Sequence, residues 1–129
     1  MKFNPDCVRD ILIATESMDY GSTYSIPKLN VTLPQYSAEE LNYHCIHLID
    51  AELINADSVD VPLSVLPEVS RIYDLTYSGH QFLANIRSDN IWNGTKTVAA
   101  KIGSTALDAL IQISSNVVTE LIKAQFNIH

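Results

Sequence analysis

The sequence predicts an α+β fold that is mainly helical, with a small antiparallel sheet among the helices and C-terminal helices available for association with further copies. Three features predict it. Apolar residues recur three and four apart through most of the chain, and two short stretches rich in β-branched residues flank a proline-bounded loop near its middle. From Thr95 to Phe126 the apolar stripe is wider than one small domain needs. A chain of 129 residues, 47% hydrophobic and 18% charged, builds one core readily and two with difficulty.

Asn4 before Pro5 reads as an N-cap with proline at the first helical position, and Val8, Ile11, Leu12 and Thr15 follow at helical spacing. A first helix is expected from Pro5 to Ser17. Asp19 to Ser22 is a turn signal, and Tyr24 to Leu33, with prolines at positions 27 and 34, reads as a short edge strand or extended loop. Ser37 and Glu40 form a capping box for a second helix from Ala38 to about Ala51, whose core side is Leu41, Cys45, Leu48 and Ile49. Leu53 to Val59 and Val69 to Leu75 read as a hairpin. Thr76 caps a third helix reaching about Trp92, where Gly79 permits close approach to neighbouring backbone. Beyond it Gly103 and Ser104 divide the last segment into a short helix and a longer one capped by Ser104.

Helix, extended segment, helix, hairpin, helix is the order of a winged-helix domain with a reduced second helix. The expected organisation is a winged-helix-like domain over residues 1–93 and a helical extension over residues 94–129. Leu110, Ile113, Val117 and Leu121 mark the extension's expected oligomerisation stripe.

The blocks Asn4 to Leu12, Tyr43 to Ile54 and Leu75 to Asp89, with Trp92, resemble the domain of unknown function family twenty-five thirteen. That resemblance covers nearly the whole chain and implies a phage or prophage context in Gram-positive bacteria; it implies no activity. Glu52 departs from the pattern, because such proteins commonly carry glycine at that helix C-terminus.

Charge narrows the function. Eight Lys and Arg against fifteen Asp and Glu leave a net charge of -7, which opposes general attraction to nucleic acid or anionic lipid. The second helix carries no Lys or Arg and begins with Glu39 and Glu40, so sequence-specific DNA binding is disfavoured despite the element order. His44 and His47 could hold a metal only with ligands that the sequence does not offer, and Cys7 and Cys45 sit at core positions without an oriented base. The alternative to a metal pair is one histidine beside the core and one at the surface. Phosphate loops and nucleophile elbows are absent from the sequence, so neither an enzyme nor a cofactor is expected.

The candidate ligand face is His80 and Arg87, seven apart on the third helix, with Tyr77 and Trp92 nearby, joined by Tyr43 and His47 from the second helix. An arginine with a histidine and aromatic rings can grip a phosphate or stack a base; its plain alternative is an ion pair that locks the helix. The expected protein is a cytoplasmic, non-enzymatic homo-oligomer that binds a host protein or a small anionic, nucleotide-like ligand, as a counter-defence sponge or inhibitor would. The alternative is a dimeric winged-helix transcriptional regulator. No segment is apolar enough to span a membrane.

Overall fold

The computed structural model describes residues 1–127. Its elements are α1 (Pro5–Glu16), α2 (Ile26–Thr32), α3 (Ala38–Asp50), β1 (Ile54–Val59), β2 (Glu68–Leu75), α4 (Tyr77–Ile86), α5 (Asp89–Ile102) and α6 (Leu107–Phe126). The chain is thus mainly helical with a two-stranded antiparallel sheet. It divides into two compact units, Met1 to His80 and Gln81 onward. The boundary expected after residue 93 falls inside α5.

In the first unit, α1 packs on α3 and β2, and α3 also packs on both strands and on α2. Val8, Ile11 and Leu12 of α1, Leu29 of α2, Leu41, Cys45 and Leu48 of α3, and Ile72 of β2 are fully buried. The first helix is capped as its sequence predicts, with the Asp6 N–H donating to Asn4 Oδ1 at 3.0 Å. Tyr24 to Leu33 is a correction: the segment is helix α2, preceded by an isolated antiparallel bridge between Tyr24 and Ile72. Ser25 supplies the cap by accepting from the Lys28 N–H at 3.3 Å, and Pro27 lies in the first turn, where its missing N–H costs nothing.

The hairpin joins its neighbours through backbone. Helix α3 ends on Glu52 at φ 59°, with the Leu53 N–H donating to Leu48 O and the Glu52 N–H to Ile49 O, both at 2.9 Å. This is the double hydrogen bond of a Schellman turn, formed here on a residue other than glycine. Thr76 ties the far end, donating its hydroxyl to Glu52 O at 2.6 Å and its N–H to Leu53 O at 3.0 Å. Gly79 meets the same carbonyl: a Cβ there would stand 2.0 Å from Leu53 O, so the close approach expected of this glycine is present.

The third helix is shorter than predicted. It ends at Ile86, and Ser88 caps a new helix, α5, by accepting from the Ile91 N–H at 3.2 Å. Periodicity alone carries the apolar phase across that break, whereas the serine cap interrupts the helix. Gly103 at φ 82° closes α5 as its left-handed cap. The longer helix is not capped by Ser104: Ala106 holds the cap position without a side-chain bond, while Ser104 Oγ accepts from the Ala106 N–H at 3.3 Å. Helices α5 and α6 pack together, and Leu110, Ile113 and Ser114 of α6 are buried. Among the described residues, no helix is long and apolar enough to cross a membrane.

Candidate functional site

Helix α3 builds one wall of a groove in the first unit. Its start is fixed by the predicted capping box: the Glu40 N–H donates to Ser37 Oγ and the Ser37 N–H to Glu40 Oε1, both at 3.1 Å. One turn on, Asn42 reaches across to the hairpin, where its Nδ2 donates to Pro67 O at 3.1 Å and its Oδ1 accepts the Val69 N–H at 2.8 Å. A single amide therefore clasps the hairpin against the helix. Between them lies a groove of about 550 Å³. Met1, Ile26, Pro27, Leu66, Val69 and the Tyr43 ring give it apolar lining, and Glu39 and Glu68 stand on opposite walls as exposed carboxylates. No lysine or arginine lines it. The hairpin tip continues the apolar surface outward, with Leu63 and Val65 fully exposed and Leu63 in the left-handed region at φ 66°.

Behind Tyr43 four rings gather. Tyr43 meets His44 and His47 edge-on at 5.1 and 4.6 Å between centroids, and Phe3 lies 5.5 Å from each histidine. His44 is buried, with Nδ1 donating to Glu40 O at 2.7 Å and Nε2 accepting the Asn4 N–H at 2.8 Å. Both ring nitrogens hold backbone, so His44 pins the N-terminal segment to α3 and has no lone pair to offer a metal. Burial lowers its pKa first; the nearby His47 lowers it further, against a raising contribution from Glu40. His47 is half-buried, so the histidine pair divides into one core and one partly exposed ring.

The six candidate ligand residues are not one face. Tyr43 and His47 come together as described. His80 lines a second groove with Tyr73, and its Nε2 stands 3.9 Å from Asp74 Oδ1; Glu16 and Asp19 line the same groove. An anion placed there would meet three carboxylates. Tyr77 is exposed at the start of α4, whereas Trp92 is buried with the Lys96 ammonium 5.6 Å from its ring centroid. Arg87 follows the end of α4, so it does not share a helical face with His80. Of the expected oligomerisation residues, Leu110 and Ile113 are already buried within the chain, Val117 is half-buried and Leu121 is exposed. Only the later part of that stripe remains open.

Neither cysteine is poised as a nucleophile. Burial, reinforced by Glu40 and Asp10, pushes the Cys7 thiol up to about 12, and burial with Cys7 beside it does the same to Cys45. The Tyr36 hydroxyl donates to Asp10 Oδ2 at 2.6 Å; burial and that bond raise its pKa. Among the described residues, every buried side-chain nitrogen and oxygen has a partner. What the α3–hairpin groove presents is therefore apolar surface and rim charge. Asn42, Leu66 and Glu68 were missed by sequence reasoning because their roles depend on contacts across the hairpin, although Glu39 was recognised as a negative charge at the helix start.

A mainly helical α+β protein with a clasped hairpin and an acid-rimmed apolar groove is the class that this geometry defines. The chain belongs to the family described as "Hypothetical protein (DUF2513)", which it matches over residues 2–105. It is similar to an uncharacterized protein of Haemophilus influenzae (strain ATCC 51907 / DSM 11121 / KW20 / Rd), at 32% identity over 124 residues covering 95% of this chain and 99% of that relative. No solved structure matches the chain.

Proposed function

We propose that this protein is a non-enzymatic binding module that uses the α3–hairpin face, in a winged-helix-like arrangement, to hold another protein. The order α1, bridge, α2, α3, hairpin supports that arrangement, with Tyr24 in the place of a third strand. In such a scaffold α3 is the helix that would enter a DNA groove. The observation that carries the protein-binding reading is the groove's lining: apolar residues between Glu39 and Glu68, with no lysine or arginine among them to meet a phosphate. The phage context that the sequence resemblance implies favours a host protein as the partner, and two buried, protonated thiols fit a reducing cytoplasm. A nucleotide-like ligand at His80 and Arg87 is less supported, since Asp74, Glu16 and Asp19 line the groove around His80.

A photo-crosslinking amino acid at position 43 tests the proposal in the cell. The expected result is a crosslink to one protein, lost when Leu66→Asp is added and absent when the same probe replaces Lys101. Retention of duplex DNA in a gel shift at roughly 150 mM salt, abolished by Tyr43→Ala, would overturn it.

Self-association through α6 is a second proposal, carried by Leu121, Ile122 and Phe126, which are 43%, 51% and 76% exposed on one helix. Native mass spectrometry should show an oligomer of the wild type and a monomer of the Ile122→Asp, Phe126→Asp variant; a wild-type monomer would refute it.

A further inference from the structure

We infer that the α3–hairpin groove takes a short extended segment of its partner in which a large apolar side chain is flanked by lysine or arginine. This deepens the proposed function and rests on it. Space sets the first limit. A groove of about 550 Å³ seats two or three apolar side chains; the face of a folded helix needs more. The apolar occupant is specified by Ile26, Pro27, Leu66 and Val69, whose polar neighbours Asn42 and Ser64 are already engaged: Asn42 clasps Pro67 and Val69, and Ser64 Oγ donates to Leu66 O at 2.8 Å.

Charge sets the flanks. Glu39 and Glu68 face the groove from opposite walls, so a cation on either side of the seated side chain would meet a carboxylate, while an acidic segment would meet two like charges. The whole first unit carries four Lys and Arg against twelve Asp and Glu, which draws a basic segment in and repels an acidic one at long range. The chain supplies an example of this chemistry at its own N-terminus. Met1 lines the groove and the next residue is Lys2, an apolar residue followed by a cation, with Phe3 on the histidine rings and the Asn4 N–H on His44 holding the segment to α3.

Three fluorescein-labelled peptides read by fluorescence polarisation test the inference with the full chain: Arg-Leu-Lys-Leu-Arg, its twin with glutamate for each cation, and its twin with serine for each leucine. The first should bind, and both twins should bind at least tenfold more weakly. The Glu39→Gln, Glu68→Gln variant should lose about tenfold for the first peptide and most of its salt dependence, whereas Leu66→Asp should abolish binding. Circular dichroism of each variant would show that its helices remain. Equal binding of the acidic twin, or no binding of the basic peptide, would overturn the inference. A position-43 crosslink to a protein through a segment without cations would also overturn it while leaving the protein-binding reading intact; the absence of any protein crosslink would remove that reading itself.

Discussion

Glu52 holds a left-handed φ of 59° at the end of α3, where an L-residue pays about 1 to 2 kcal/mol that glycine does not. Its carboxylate also sits at the negative end of the helix dipole. The backbone bonds of the turn use no side-chain atom of Glu52, so Glu52→Gly removes strain and leaves them in place. After allowing for the greater freedom of glycine in the unfolded chain, the substitution should stabilise by about 1 kcal/mol, seen as a melting temperature about 4 °C higher. The sequence marks this position because the resemblance implies a glycine where Glu52 stands. The tight turn survives that departure because Thr76 grips the Glu52 carbonyl from the next element.

At the scale of elements, the hairpin is held to α3 by Asn42. Truncation to alanine leaves the Val69 N–H and the Pro67 carbonyl without their partner in a partly buried place, a loss of about 2 kcal/mol. Asn42→Ala should therefore speed hydrogen exchange at the Val69 amide while leaving the α1 amides protected, and weaken crosslinking at position 43. The same scale shows what could be read in advance. Ser37 with Glu40 announces α3 because a capping box is local, and Asn4 with Pro5 announces α1 for the same reason. Ser25 with Pro27 is an equally local start signal for α2, but Ile26, Val31 and Thr32 are β-branched and favour extended backbone, which hides it. The break before Ser88 was masked by apolar spacing that continues through Ile86 to Trp92. The groove could not be read, since Asn42 bonds to residues 25 and 27 positions away.

For the whole molecule, His44 links acidity to folding. It is neutral in the fold, with a pKa held below the ordinary 6.5 by burial. As pH falls through that value the unfolded chain takes the proton and the folded one resists, so the unfolded state binds more protons and stability drops. Protonation also puts a hydrogen on Nε2 facing the Asn4 N–H; Glu40 on its own helix and the neighbouring His47 are the charged groups that modulate the effect. Thermal melts from pH 7.5 to 5.0 should fall more steeply for the wild type than for His44→Gln, and equal slopes would show that other groups control acid sensitivity.

The contact between position 79 and the Leu53 carbonyl sets a limit on how this protein can diversify. A main-chain obstacle cannot be repacked as a neighbouring side chain can, so no second change nearby makes room for a Cβ. Lineages can lengthen, shorten or repaint the exposed hairpin tip, yet they must keep a lone hydrogen at this residue. That makes it the natural landmark for bringing remote copies into register.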